Sequence, residues 1–175
     1  VFALLCQRGM FDAMRIIGTT THLMSLAEMM QLEFHRKLDL SEEDYLTVIQ
    51  RKTGSLIEAS CEIGARLHPD LEPHARAFAE YGKQVGRAFQ ITDDILDYLA
   101  DDHQLGKPVG GDWKEGRITL PFIAAWRNAP AGETRELAQA VAETADPADL
   151  WSDVRSFVQR HGGVAGERRH PGQVV

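Results

Sequence analysis

Three carboxylates, Asp93, Asp94 and Asp97, stand in the stretch Phe89-Gln90-Ile91-Thr92-Asp93-Asp94-Ile95-Leu96-Asp97-Tyr98, which is otherwise apolar and helical in pattern. On a helix, Asp93 and Asp97 are i,i+4 neighbours and Asp94 and Asp97 are i,i+3 neighbours, so all three share one side with Gln90 one turn earlier. Phe89 and Leu96 are expected to turn the other way, into a core. Carboxylates this close repel one another, and the macrodipole disfavours them near a helix C-terminus. A solvated acidic face usually interleaves lysine, whereas Gly86–Leu99 carries Arg87 as its one base. Oxygen donors without such a base suit a divalent metal. Mg²⁺ takes one or two carboxylates, keeps waters and completes its shell with phosphate oxygens. The competing reading is an ordinary solvated charge run.

Downstream, Gly106-Lys107-Pro108-Val109-Gly110-Gly111-Asp112-Trp113-Lys114-Glu115-Gly116-Arg117 reads as a loop. Its glycines allow close backbone approach, and Lys107, Lys114 and Arg117 offer positive charge. A basic loop beside a carboxylate cluster is what a metal-diphosphate needs on its two sides. An ordinary helix connector is an equal reading, although this one is long. Upstream, Gln50-Arg51-Lys52-Thr53-Gly54-Ser55 places mediocre helix formers inside a helical pattern. That predicts a local kink or a site in which Lys52 holds a phosphate as a point charge, or, more plainly, an exposed polar turn. Glu28 and Gln31 form a small polar patch that reads as surface. Met24, Met29 and Met30 read as core filler, and His103 as solvated.

The elements needed to position these residues are helical throughout. One run extends from Phe2 to about Lys37, with a break expected near Gly18-Thr19-Thr20-Thr21. Ser41 caps a second, with acids in its first turn, that ends before Pro69. Pro73 opens a third, which carries the acids and ends near Gly106. Thr119 with Pro121 starts another through Trp126. Two amphipathic helices follow, at about 133–144 and 148–161, and the residues from Gly162 read as frayed. No segment alternates as a strand.

The 175 residues suffice for one domain with a real core. Hydrophobic residues make up 43% and charged residues 26%, which argues against wholesale disorder. A net charge of -7 argues against a nucleic-acid partner, which needs a basic face. Cys6 and Cys61 match no metal or redox spacing and read as reduced thiols. No apolar run is long enough for a membrane span. Val1–Cys6 lacks the basic start of a signal peptide and an initiator Met, so the chain is expected to begin in mid-domain. These features together imply a cytoplasmic location.

In combination the motifs resemble the trans-type polyprenyl diphosphate synthases. Those residues are Glu28-Met29-Met30-Gln31-Leu32, Lys52-Thr53, Phe89-Gln90, Asp93-Asp94-Ile95-Leu96-Asp97, Gly106-Lys107 and Gly116-Arg117-Ile118-Thr119-Leu120-Pro121, in the family's order over about 26–125. The resemblance implies an all-α helical bundle of the isoprenoid synthase type, incomplete at its N-terminal side. Residues 1–163 would be the C-terminal part of a single synthase domain, and 164–175 an irregular tail. It implies elongation of an allylic prenyl diphosphate with isopentenyl diphosphate. Asp93, Asp94 and Asp97 would hold Mg²⁺ on the allylic diphosphate, and Lys52 and Lys107 would bind that diphosphate, with Arg117 also on substrate. Thr53 and Gln90 would face the allylic carbon. The complete protein would be a homodimer.

The chain departs from the family at both ends. A first aspartate-rich motif with its Arg-Arg pair is not present: Asp101-Asp102 lacks the third acid, and Arg168-Arg169 lies in the wrong place. The isolated chain is therefore expected to be inactive. A non-catalytic regulatory subunit and a helical scaffold are the rivals. The intact aspartate motif counts against the first, and the missing motif favours the second. A terpene cyclase is disfavoured by the DDxxD form and by the Lys-Thr and Gly-Lys-Pro elements.

Overall fold

The computed structural model describes residues 2–99 and 109–164. Every regular element among them is helical, and none is long and apolar enough to cross a membrane. The chain divides into two compact units. One combines the residues up to Phe34 with Glu43–Thr92, and the other combines His35–Glu42 with the residues from Asp93 onward.

The first unit opens with α1 (Phe2–Gln7) and α2 (Phe11–Glu33). The break falls at Gly9, whose φ of +67° a side chain would resist, and not at the threonines. Thr20 and Thr21 donate their hydroxyls to the carbonyls of Ile16 and Ile17 at 3.0 and 2.9 Å, so that polar run stays helical. After α3 (Glu42–Ile49), a π-helical turn occupies Gln50–Gly54, and α4 (Ser55–Arg66) continues. A 3₁₀ turn at Glu72–His74 holds Pro73 and leads into α5 (Ala75–Leu99). Where α5 meets the π-turn and α4, the backbones approach closely. A Cβ on Gly82 would lie 2.7 Å from the Ile57 carbonyl, and one on Gly86 would lie 2.6 Å from Gly54 Cα. The Lys52 and Asp93 helices are thus packed neighbours along this part of α5. Met29, expected as core, is exposed.

In the second unit the stretch read as a loop contains one helical turn, α6 (Gly111–Lys114). It is followed by α7 (Leu120–Asn128), α8 (Ala131–Glu143), a 3₁₀ turn (Pro147–Leu150) and α9 (Trp151–Arg160). The core is aromatic. Trp113 and Phe122 stack with ring centroids 5.6 Å apart, Phe157 adds a tilted ring, and Trp113 Nε1 donates to the Pro147 carbonyl at 2.7 Å.

One expectation for α5 is overturned. Phe89 is 61% exposed and Leu96 40%, while Asp94 and Asp97 are only 2% and 3% exposed. At Asp97 the residues that follow the helix fold back and supply two backbone donors, which offsets the cost of burying that carboxylate.

Candidate functional site

The π-turn is where the first group of candidate residues is set. The N–H of Ser55 bonds the carbonyl of Gln50, five residues back, and Ser55 Oγ donates to the Arg51 carbonyl at 2.7 Å. Such single π-turns recur at functional sites. This one sends consecutive side chains to different helices. Lys52 Nζ reaches α2, donating to Gln31 Oε1 at 2.6 Å and pairing with Glu28 Oε1 at 2.9 Å. Thr53 Oγ1 reaches α5 and donates to Gln90 Oε1 at 2.8 Å. Arg51 Nη1 lies 3.2 Å from Met30 Sδ. The polar patch on α2 and the Lys-Thr pair, which the sequence left as separate features, form one cluster. Its lysine is held by exchangeable side-chain oxygens at a partly exposed position, an arrangement that can pass an ammonium to a phosphate.

The acid segment is built differently. Asp97 Oδ1 accepts from the Gly111 N–H at 3.2 Å and Oδ2 from the Asp112 N–H at 3.0 Å, while the Gly110 N–H bonds the Asp97 carbonyl. Gly110 permits this closure. Its φ is +73°, and a Cβ there would overlap the Trp151 ring at 2.4 Å. The repulsion expected among bare carboxylates is therefore offset at Asp97 by two backbone donors. Asp112 is a further acid, partly buried. Arg117 Nε donates to its Oδ1 at 2.8 Å, and Arg117 Nη1 contacts Glu115. Burial pushes the Asp112 carboxyl above its ordinary range; Arg117 opposes the shift, and Asp97 and Asp93 reinforce it. Burial likewise raises the Tyr98 phenol beside these acids.

Of the candidate residues, Lys52, Thr53 and Gln90 come together in the first unit. Asp93, Asp94, Asp97 and Arg117 belong to the second, and Lys107 lies outside the described residues. The three aspartates supply oxygen donors alone, the set a hard divalent cation takes. Among the described residues no three His, Cys, Asp or Glu side chains are grouped as a ready-made cation cage. In kind the donor set suits a hard divalent cation whose remaining shell water and phosphate oxygens would supply.

Asp112, Gln50 and Glu58 were missed by the sequence reading. Asp112 carried a signal, an acid five residues before Arg117 in a glycine-flanked turn. Gln50 and Glu58 carried none, because they stand eight residues apart, outside the i,i+3 and i,i+4 spacings at which helix side chains are expected to pair.

Comparison with known proteins identifies the family. The polyprenyl synthetase family model matches residues 1–156. Octaprenyl diphosphate synthase from Escherichia coli (strain K12) is 31% identical over 140 residues, 80% of this chain and 43% of that protein. A decaprenyl diphosphate synthase from Rhodobacter capsulatus superposes with a TM-score of 0.79 at 30% identity, covering 93% of this chain and 50% of that one. A polyprenyl synthase from Caulobacter crescentus CB15, solved with calcium and isoprenyl diphosphate, gives a TM-score of 0.78 at 28% identity, covering 93% and 49%. The chain spans half the length of these relatives or less, and its helices follow the all-α isoprenoid synthase fold. With most of its length matched by the family model and its fold shared with solved synthases, the chain belongs to the polyprenyl synthetase family.

Proposed function

We propose that this chain carries part of the machinery of a prenyltransferase that lengthens an allylic prenyl diphosphate with isopentenyl diphosphate. In that reaction the allylic diphosphate ionises, the double bond of isopentenyl diphosphate attacks the cation, and a proton is lost. The observation that carries the reading is the π-turn cluster, in which Lys52 is held by Gln31 and Glu28 and Thr53 is bonded to Gln90. Lys52 exchanges those oxygens for the diphosphate and stabilises the negative charge that grows as the leaving group departs, an electrostatic contribution made in the transition state. Thr53 and Gln90 direct oxygen lone pairs toward the developing cation. Lys107 and Arg117 add positive charge to the diphosphate.

Mg²⁺ held by Asp93, Asp94 and Asp97 would supply Lewis-acid stabilisation of the leaving group. Helical walls around the substrate would exclude water that quenches the cation. We further assign the complete protein a cytoplasmic location and a homodimeric state.

Radiolabelled isopentenyl diphosphate with an allylic primer tests the reading. A protein that joins these residues to a first aspartate-rich motif should incorporate label into extractable lipid. Lys52→Ala should lower that incorporation about tenfold or more, the effect of about 1.36 kcal/mol in the barrier. The 175-residue chain alone, with one aspartate-rich motif, should show negligible transfer. Absence of incorporation by the longer protein with every allylic primer overturns the assignment. A second test uses calorimetry. Mg²⁺ should bind the chain more tightly when inorganic pyrophosphate is present, because phosphate oxygens complete the octahedron, and Asp93→Ala should remove that gain.

A further inference from the structure

We infer that Gln50, Glu58, Gly54 and Gly86 form a lock that sets the π-turn and thereby positions Lys52 and Thr53. Gln50 Nε2 donates to Glu58 Oε2 at 3.0 Å, bridging from the first residue of the π-turn to the first turn of α4. Because an ionised Glu58 only accepts, the amide group of Gln50 must face it. The same carboxamide occupies the space that a side chain at position 54 would need. A Cβ on Gly54 would lie 2.7 Å from Gln50 Oε1 and 2.9 Å from its Cδ. On the other side, α5 closes against the turn, since a Cβ on Gly86 would lie 2.6 Å from Gly54 Cα.

Gly54 thus lies between the Gln50 carboxamide, which fills the space its own Cβ would take, and the backbone at Gly86, where any Cβ would strike Gly54 Cα. The output is local. Gln90, the acceptor of Thr53, stands one turn beyond Gly86 on α5, and Lys52 is sent to α2. If the π-turn relaxed to a regular α-helix, the residues on one side of it would rotate, and Lys52 and Thr53 could not both keep these partners. Gln50 Oε1 is buried without a hydrogen-bond partner, a cost the lock accepts to keep the amide turned toward Glu58. Gln50 and Glu58 are positioning residues. Their role in diphosphate binding rests on the function proposed above, whereas the lock itself does not.

The test combines backbone NMR of the full 175-residue chain with calorimetry of inorganic pyrophosphate in the presence of Mg²⁺. Gln50→Met keeps the length of the side chain and removes the hydrogen bond. Gly54→Ala displaces the carboxamide. Each should move the amide resonances of Lys52 and Thr53 and weaken pyrophosphate about tenfold, with the far-UV circular dichroism unchanged. Because both break one device, the double variant should lose about tenfold and not a hundredfold. Glu58→Gln, which keeps an acceptor, should leave the resonances in place. Should Gln50→Met not fold, Glu58→Leu opens the lock from the other side with the same expected shifts. Unmoved Lys52 and Thr53 resonances in the hydrogen-bond variants overturn the lock, as do additive losses in the double variant. Failure of the parent chain to bind pyrophosphate counts against the proposed function alone, and the resonances still decide the lock.

Discussion

Lys52 and Asp97 are both charged candidate residues, one in each compact unit, and the protein houses them on different terms. The lysine lies at a partly exposed position and is bonded to Gln31 and Glu28, side-chain oxygens that a ligand can replace. The aspartate is buried, and both of its oxygens accept backbone N–H groups from Gly111 and Asp112. A charge held by mobile side chains is available for chemistry at little cost to stability. A charge held by the backbone is also a structural element, since it fixes the course of the chain after α5. One aspartate of the DDxxD pattern thus anchors a turn as well as standing among the candidate metal donors.

This contrast can be broken or sharpened by substitution. The largest effect is expected for Asp97→Ala, which strips two backbone donors of a charged acceptor and should destabilise the chain by about 3 kcal/mol. Asp97→Asn, which keeps one acceptor oxygen, should lose about half of that. Urea melts without metal check this, and a neutral Asp97→Ala would mean that the backbone contacts carry no weight. Next comes Gly86→Ala, on the lysine side. The added methyl meets Gly54 Cα, backbone that cannot swing away, and overpacking of this kind should cost about 2 kcal/mol. Melts at several urea concentrations would show it; an unchanged midpoint would mean that α4 and α5 separate freely.

A smaller effect should appear in the pH dependence. Asp112 has its folded carboxyl raised above 3.8 by burial, so the folded chain keeps this proton where the unfolded chain has released it. Its contribution to stability is present below 3.8 and is lost as pH rises through the higher folded value. Arg117→Met removes the guanidinium that opposes the shift and should deepen that loss. Stability measured across a pH series decides it, and a flatter profile in the variant contradicts the pairing. The smallest effect belongs to Lys52→Met. Exposed ion pairs contribute little, so the change should stay under about 0.5 kcal/mol while pyrophosphate binding suffers. A large loss of stability there would erase the contrast between the two charges.

Much of the helical framework was legible in local pattern. Pro69, Pro73 and Pro121 mark helix boundaries because proline has no N–H to donate and its ring presets φ. The threonines at 19–21 misled, because Thr20 and Thr21 satisfy their hydroxyls on their own helix and need no break. Lys52 could be chosen from residue type and Thr53 and Gln90 through the family resemblance, and Thr53 and Gln90 are in contact.

The sequence by itself determined that the chain is helical, roughly where its helices stop, and which polar residues are out of place in an apolar pattern. Those properties depend on propensity and on neighbours within a turn or two. Only the tertiary structure decided that α5 buries Asp94 and Asp97 and exposes Phe89 and Leu96. Periodicity divides a helix into faces, but which face is covered depends on the segment that returns to it. The donors that make the acidic face burial-competent, the N–H groups of Gly111 and Asp112, lie more than a dozen residues downstream of Asp97. The π-turn is of the same kind. Nothing within Gln50–Gly54 specifies five-residue hydrogen bonding until Gly86 approaches from another helix and Glu58 takes the Gln50 amide.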